Sequence, residues 1–256
     1  MTTTYQDAGE RLSALCRSLR LPAVGRDATR CAAEAVRQGV EPLSYLIDLL
    51  ETELNERADR RASRRIKEAG FPVVKTLDGF DFEHAPHLPE ARIRALFDGH
   101  YIDEAEPILF LGEPGTGKTH LASALGEAAA RTGRRVKFIS AAALVTELVE
   151  ARDAHELART VARYGRVDVL IIDELAYVPL ARSDAELLFR VLGERNEKRP
   201  IIVTTNLPFS EWTAMFPDQR LCRGIVDRLT HNAHIIETGT ESARLRSTLN
   251  KRRLSS

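Results

Sequence analysis

The fold is decided by one stretch of sequence, Ile108-Leu109-Phe110-Leu111-Gly112-Glu113-Pro114-Gly115-Thr116-Gly117-Lys118-Thr119. Its four leading apolar residues predict a buried strand, and a helical pattern follows over residues 119–131. A glycine-rich loop between a strand and a helix turns its backbone N–H groups around phosphate oxygens, and the helix dipole adds a positive end. The spacing Gly-x-x-x-x-Gly-Lys-Thr therefore predicts a nucleotide-phosphate site in an α/β domain.

Two side chains of this loop carry the predicted chemistry. Lys118 would neutralise the β- and γ-phosphates, and the Thr119 hydroxyl would bind Mg²⁺. The residues that would surround the phosphates are Gly112, Glu113, Pro114, Gly115, Thr116, Gly117, Lys118 and Thr119. The alternative interpretation is an ordinary glycine turn, which the complete pattern in this context disfavours.

A second group of polar residues follows two later apolar runs. Val169-Leu170-Ile171-Ile172 is followed by Asp173 and Glu174, and residues 201–205 are followed by Asn206. Open α/β sheets present ligands at the carboxyl ends of their strands. Asp173 would hold Mg²⁺ directly or through water, Glu174 would polarise the attacking water, and the Asn206 amide could lie between that water and the γ-phosphate. Solvated loop charges and a turn asparagine are the alternatives.

Short apolar runs alternate with longer helical stretches after residue 97, which predicts a parallel β/α architecture with helices on both faces of the sheet. The expected strands are residues 108–111, 136–139, 167–172, 201–205 and 233–236. A helix is expected near residues 89–97. Ser183 and Glu186 have the spacing of a capping box and predict the start of another helix.

The residues before this region predict a separate helical module. Apolar residues with one-face spacing are Leu12, Leu15, Cys16 and Leu19, and then Leu43, Leu46, Ile47, Leu50 and Leu54. Gly70 and Pro72 are a usual pair of helix terminators. The expected organisation is a helical module at 1–70, a connector at 71–88 and an ATPase core at 89–256.

Composition limits the cellular context. Lys+Arg and Asp+Glu both number 37, so net charge favours no class of partner. The three cysteines are far apart and lack a Cys-x-x-Cys pair, which fits reduced thiols. No apolar run approaches the roughly 20 residues of a membrane span, and the first residues lack the apolar centre of a signal peptide. We therefore expect a cytoplasmic protein without a membrane partner.

Three longer stretches resemble the AAA+ ATPases, and within them the branch that holds bacterial helicase loaders and the IstB-type helper ATPases of insertion sequences. The stretches are Gly112 to Ala122, which includes His120, then Ile171 to Leu180, and Thr204 to Trp212. They look like IstB rather than a helicase loader. The resemblance covers nearly the whole chain and implies an AAA+ three-layer αβα core without a C-terminal helical lid, ATP and Mg²⁺ as cofactors, and a role in transposition.

The same resemblance implies roles for residues that the spacing alone does not assign. Arg228, in Asp227-Arg228-Leu229, resembles the arginine finger, and Arg244, in Glu241-Ser242-Ala243-Arg244, resembles sensor 2. Ala243 departs from the family, which commonly has an aromatic residue there. Either arginine could instead be an exposed helix charge. Phe80 and Phe82 could form a wall for the adenine, could be two core aromatics, or could be both.

Clusters of basic residues indicate which class of nucleic acid the protein could bind. Arginines between Arg57 and Lys67 follow acidic residues at helical spacing, which is typical of a self-neutralised face. Further clusters are Arg131, Arg134, Arg135 and Lys137, then Arg152, Arg159, Arg163 and Arg166. Because aromatic residues do not interleave with them, duplex DNA is favoured over single strands.

The interpretation is a homo-oligomeric transposition helper that acts on duplex DNA with a transposase encoded nearby. A helicase loader acting through protein contacts is one alternative. An inert P-loop scaffold is another, and the intact set of Lys118, Asp173, Glu174 and Asn206 disfavours it. Neither the Asn-Lys-x-Asp motif of GTPases nor the Leu-Ser-Gly-Gly-Gln signature of ABC ATPases occurs in the sequence.

Overall fold

The computed structural model describes residues 2–175, 180–216 and 218–240. Its backbone contacts divide the chain into two compact units, with the boundary between Ser63 and Arg64. In the part of the chain that is described, every helix is too short or too polar to cross a membrane.

The first unit consists of α1 (Thr2–Leu19), α2 (Pro22–Gln38) and the larger part of α3 (Pro42–Ala69). Proline begins both α2 and α3, where its missing N–H costs nothing. The N-cap residue of α2 makes no side-chain hydrogen bond to the helix. Instead, buried Glu53 of α3 accepts the N–H groups of Ala23 at 2.7 Å and Val24 at 3.3 Å. A carboxylate from a neighbouring helix therefore satisfies the first turn of α2.

The core of the first unit is small, and it uses a different face of α3 from the leucine stripe. Its fully buried members are Cys16, Val24, Ala28 and Leu49, and Tyr45 packs against them. The apolar residues that stay exposed on α3 are Leu43, Leu46, Ile47, Leu50 and Leu54. The pattern thus predicted the helix correctly, but these five side chains are not its buried face.

The second unit holds an α/β domain. After the connector, the elements are α4 (Glu90–Leu96), α5 (His100–Asp103), β1 (Ile108–Leu111), α6 (Lys118–Arg131), β2 (Val136–Ser140), α7 (Ala141–Asp153), α8 (Leu157–Arg166), β3 (Val169–Asp173), α9 (Arg182–Arg195), β4 (Ile201–Thr205), α10 (Trp212–Met215), α11 (Gln219–Thr230) and β5 (His234–Glu237). A short 3₁₀ turn, Phe209–Glu211, precedes α10. The expected strands are all present; β1 and β4 have the expected ends, and the ends of the other three are displaced by one or two residues.

The sheet is parallel throughout its five described strands, in the order β2-β3-β4-β1-β5. In register, β4 pairs Val203 with Ile172 of β3 and Thr205 with Leu111 of β1. The carboxyl ends of β3, β4 and β1 are therefore neighbours. This order brings the loop after β1, the carboxylates after β3 and Asn206 after β4 to one edge of the sheet.

Helices cover both faces, so the three-layer architecture predicted from the alternation is confirmed. On one face, Leu121 and Leu125 of α6 and Ile93 of α4 form a core with β-strand residues. On the other face, residues of α7, α9 and α11 join Trp212 in a second core. Every residue of β1, β3 and β4 is buried, which explains their continuous apolar sequences.

The capping-box prediction was wrong. Helix α9 begins at Arg182 with Ala181 as its N-cap, and no side chain caps it. Ser183 lies one residue inside the helix, and its hydroxyl hydrogen-bonds to the Asp184 carboxylate. The Ser-x-x-Glu spacing is also compatible with the interior of a helix, so it cannot fix the start alone.

Arg195, the last residue of α9, had no predicted role, yet it is fully buried. Its guanidinium donates to the carbonyls of Tyr164 at 2.6 Å, Val167 at 2.9 Å and Pro200 at 2.8 Å. Burial lowers the pKa of this group. β3 begins at Val169 rather than at residue 167, in register with Val136, the first residue of β2.

Candidate functional site

The loop after β1 has the backbone that its glycines predict. Gly112 and Gly117 have positive φ angles of 151° and 96°, which L residues rarely adopt. A Cβ atom at Gly112 would lie 2.4 Å from the Thr238 hydroxyl, and one at Gly117 would lie 2.6 Å from the Phe80 ring. Both positions therefore require glycine for space as well as for backbone conformation.

Hydrogen bonds fix the start of the loop to neighbouring strands. The N–H of Gly112 donates to the Thr205 carbonyl at 3.2 Å, and that of Glu113 donates to Gly239 at 3.0 Å. Thr116 Oγ1 lies 2.6 Å from Thr238 Oγ1, which also donates to the Leu111 carbonyl at 3.1 Å. Thr238 and Gly239, which follow β5, thus hold the loop in place through these hydrogen bonds.

Lys118 is the first residue of α6 and is 9% exposed. Its ammonium donates to the carbonyl oxygens of Gly112 at 2.5 Å and Glu113 at 2.8 Å. The positive charge therefore lies over the loop, where the sequence pattern places the phosphates.

Thr119 and Asp173 are brought into contact, as their predicted shared ligand requires. Thr119 Oγ1 lies 3.0 Å from Asp173 Oδ1 and 3.3 Å from Oδ2. Asp173 ends β3 and is 8% exposed. Among the described residues, no group of three or more His, Cys, Asp or Glu side chains is arranged to hold a metal ion by itself. A hydroxyl and one carboxylate fit Mg²⁺, which takes its other ligands from phosphates and water.

Thr204 links the Asp173 carboxylate to the backbone of Glu174, a contact that the sequence analysis missed. The buried hydroxyl of Thr204 donates to Asp173 Oδ1 at 2.6 Å and accepts the N–H of Glu174 at 2.9 Å. The Thr204 carbonyl accepts the N–H of Leu175 at 2.9 Å. One residue of β4 therefore fixes the backbone on both sides of Glu174.

Glu174 has a left-handed backbone, with φ at 58°, and its side chain is exposed. Such a conformation in a non-glycine residue costs energy and persists only where the surroundings hold it. Here the two hydrogen bonds to Thr204 hold it. Buried Asp173 and exposed Glu174 thus differ in environment, as a metal ligand and a water-orienting carboxylate should.

Asn206 follows β4 at the same edge of the sheet and is half-buried. The preceding hydroxyl, of Thr205, accepts the N–H of Leu207 at 3.2 Å and so turns the chain immediately after Asn206. The sequence analysis expected Asn206 near the acidic pair because it ends the next predicted strand along the chain.

Phe80 and Phe82 lie beside the loop. Their ring centroids are 4.8 Å apart, and Phe80 is 5.2 Å from the His120 ring. Both phenylalanines are half-buried and pack against the core under α6. His120 Nε2 lies 2.9 Å from the Thr76 carbonyl, and burial lowers the pKa of this histidine. The contact of Phe80 with Gly117 is compatible with both interpretations of this pair.

Arg228 is not part of this cluster. It lines a small cavity with Pro107 and Ile201, which lie at the amino ends of β1 and β4. The P-loop and the acidic pair follow the carboxyl ends of their strands. A four-residue strand spans about 13 Å, so Arg228 lies at the far edge of the sheet from Lys118. Arg244 lies outside the described residues, together with Glu241, Ser242 and Ala243. The expected absence of a C-terminal helical lid concerns the same part of the chain and stays a prediction.

The site residues that the sequence analysis missed come from segments that are distant along the chain. Thr204 was quoted within a longer stretch but given no role. Thr238, Gly239 and His87, whose Nε2 lies 2.9 Å from the Thr238 carbonyl, belong to no motif. Strand order was the missing information, since β5 follows the loop by more than a hundred residues but lies next to β1.

A family model described as IstB-like ATP binding protein matches residues 14–251 of the chain. An insertion sequence ATP-binding protein of Sinorhizobium fredii is 38% identical over 244 residues, 95% of this chain and 82% of that protein. The ATP-binding protein of insertion sequence IS5376 from Geobacillus stearothermophilus is 38% identical over 237 residues, 93% of this chain and 94% of that one.

Solved structures agree on the fold. AMPPCP-bound DnaA from Aquifex aeolicus matches with a TM-score of 0.55 and 22% identity, over 66% of this chain and 51% of the DnaA chain. DnaI matches with a TM-score of 0.52 and 19% identity, over 64% of this chain and 90% of that chain. The five-stranded parallel sheet with its P-loop therefore has the AAA+ fold.

Proposed function

Because the chain belongs to the IstB-like ATP-binding protein family and is an AAA+ ATPase, we propose that it is an ATP-dependent helper of DNA transposition. In this proposal it oligomerises on duplex DNA, remodels that DNA and recruits or stimulates a transposase encoded nearby, in the cytoplasm. The observation that carries the proposal is the connected group Thr119, Asp173, Thr204 and Glu174 beside Lys118. This group supplies the parts that ATP hydrolysis needs.

The proposed mechanism assigns each side chain one task. Lys118 exchanges its two carbonyl partners for the β- and γ-phosphates. Mg²⁺, held by Thr119 and Asp173, would supply positive charge to the same phosphates. Exposed Glu174 orients a water molecule for in-line attack, and Asn206 donates its amide to that water or to the γ-phosphate. Phe80 and Phe82 are proposed to contact the adenine.

The distance between Arg228 and Lys118 supports a homo-oligomer with ATP at the subunit interfaces. An arginine at the amino edge of the sheet cannot contact a phosphate bound at the carboxyl edge of the same sheet. It can contact the nucleotide of an adjacent subunit if the contact between subunits is head-to-tail. We therefore propose that Arg228 completes the neighbour's site, as an arginine finger does.

Exposed arginines support binding to duplex DNA, because their carboxylate partners in the structure would compete only weakly with DNA phosphates. Arg134 pairs with Asp103, and Arg152 pairs with Asp153. Exposed ion pairs contribute little stability in water, so DNA phosphates can replace the carboxylates. By contrast, Arg57 and Arg60 pair with buried Glu53, which assigns them a structural role in the first unit.

Transposition assays with the neighbouring transposase test the function directly. Strand transfer by the transposase should rise when the wild-type chain and ATP are added. With Glu174→Gln in place of the wild-type chain, the size of this stimulation should differ from the wild-type value. Glu186→Gln, an exposed carboxylate on α9, is the matched control and should behave as the parent. Stimulation of a replicative helicase, with no effect on the transposase, would instead support the helicase-loader alternative.

A further inference from the structure

The Arg228 guanidinium stacks on an aromatic ring. Its Cζ atom lies 3.7 Å from the ring centroid of Phe189, which is half-buried on α9. Two glycines flank this stack. A Cβ atom at Gly224 would lie 3.0 Å from the Phe189 ring, and one at Gly193 would lie 3.7 Å from Arg228 Cζ. Each helix thus contributes one large side chain and, four residues away on the same face, one glycine; the contact is tight at Gly224, whereas a Cβ at Gly193 would make ordinary contact.

The polar contacts of Arg228 are incomplete. Its Nη1 is buried, yet it has no hydrogen-bond partner among the described residues. A buried N–H without an acceptor costs free energy and calls for an explanation. No acceptor of the described chain therefore fixes this end of the guanidinium, and a phosphate from a neighbouring subunit would meet its other N–H groups, or Nη1 only after the side chain moves.

We propose that Phe189 is the positioning residue of Arg228, a role that rests on the proposed function of Arg228 as a finger. A carboxylate partner would hold the guanidinium but neutralise it and occupy its donors. An aromatic face holds it by cation–π attraction, leaves its charge in place and forms no hydrogen bond with its in-plane N–H groups. Phe189 therefore orients the cation toward an incoming anion without competing with that anion.

The test compares Phe189→Leu, which keeps apolar bulk but removes the ring face, with Phe189→Tyr, which keeps the ring. In steady-state ATP hydrolysis by the full chain, Phe189→Leu should lower kcat about 5- to 30-fold, the range expected for loss of a partly desolvated cation–π contact. KM for ATP should change less than about twofold, because an arginine finger stabilises charge that develops in the transition state rather than the bound ATP. Phe189→Tyr should restore kcat to near the parent value.

Two controls separate positioning from packing. Phe216→Leu removes another buried aromatic ring of the same core, one that contacts Trp212, and should lower the unfolding temperature while leaving kcat unchanged. In an Arg228→Ala background, Phe189→Leu should reduce kcat no further, because its effect passes through the missing guanidinium.

Two results would overturn the role of Phe189 while Arg228→Ala stays inactive. They are parent-like kcat in Phe189→Leu, and an equal loss in Phe189→Tyr in protein that unfolds at the parent temperature. Parent-like hydrolysis by Arg228→Ala would reject the finger itself, and the role of Phe189 with it. The two failures are therefore distinguishable.

Discussion

At the residue scale, Thr204 shows how one hydroxyl can organise a catalytic edge. The Thr204 hydroxyl donates to the Asp173 carboxylate and accepts the backbone N–H of Glu174. Thr204→Val keeps the shape but removes both bonds, so kcat for ATP should fall about tenfold or more, as expected for loss of a buried hydrogen bond worth roughly 1–3 kcal/mol. Thr204→Ser should retain most activity. Thr160→Val, at a buried threonine on α8, is the control and should keep the parent kcat.

Lys118 and Glu174 should fail in different ways when they are substituted. Lys118→Ala removes charge from the bound phosphates, so ATP affinity should drop, measured by fluorescence titration of a labelled nucleotide. Glu174→Gln keeps the fold of the loop and removes only the group that orients water, so binding should persist while turnover is lost. Parent-like hydrolysis in Glu174→Gln would contradict the assignment of this carboxylate.

At the element scale, the junction of α2 and α3 depends on Glu53. Burial by itself raises the pKa of Glu53, but the N–H groups of Ala23 and Val24 and the Arg57 guanidinium outweigh it and hold the pKa below its ordinary value. A lowered carboxylate pKa stabilises the fold above the ordinary pKa, and this contribution is lost as pH falls through the folded-state value.

Glu53→Gln should therefore weaken the start of α2 at pH 7 by roughly 1–3 kcal/mol, the cost of poorly satisfied buried groups. Hydrogen exchange followed by mass spectrometry should show faster exchange at the first amides of α2. Between pH 7 and a pH below the lowered folded-state pKa of Glu53, the parent should lose protection there, and the variant should change less. Glu51→Gln, at an exposed position of the same helix, should match the parent at both pH values.

Sequence patterns predicted the strands and the nucleotide loop better than the contacts that side chains make between elements. All five strands and the nucleotide loop followed from apolar runs and glycine spacing, because these depend on local backbone geometry and burial. The buried face of α3, the Arg195 contacts and the Thr204 bonds could not be predicted in this way. Each depends on which residues the folded chain brings together over tens of positions, and a periodic pattern does not carry that information.

At the scale of the whole molecule, balanced net charge makes DNA binding a matter of local arginine clusters. We expect fluorescence anisotropy to show ATP-dependent binding to duplex probes, with little sequence preference and a steep decrease in affinity as salt rises. Tighter binding to single strands, with little dependence on salt, would contradict duplex DNA as the partner.

If Arg228 at the amino edge of the sheet acts on a neighbour's ATP, as proposed, hydrolysis depends on the assembly. Arg228→Ala should bind ATP yet lose about 10³- to 10⁵-fold in turnover, the contribution typical of an arginine finger. A structural arginine could give the same loss, so mixing is the decisive measurement. When Arg228→Ala subunits are mixed with Glu174→Gln subunits, about a quarter of randomly formed head-to-tail interfaces combine an intact carboxylate with an intact finger. Activity should therefore return in the mixture although each variant alone is inactive. If co-assembly is demonstrated by cross-linking and no activity returns, Arg228 does not act on the neighbour's ATP.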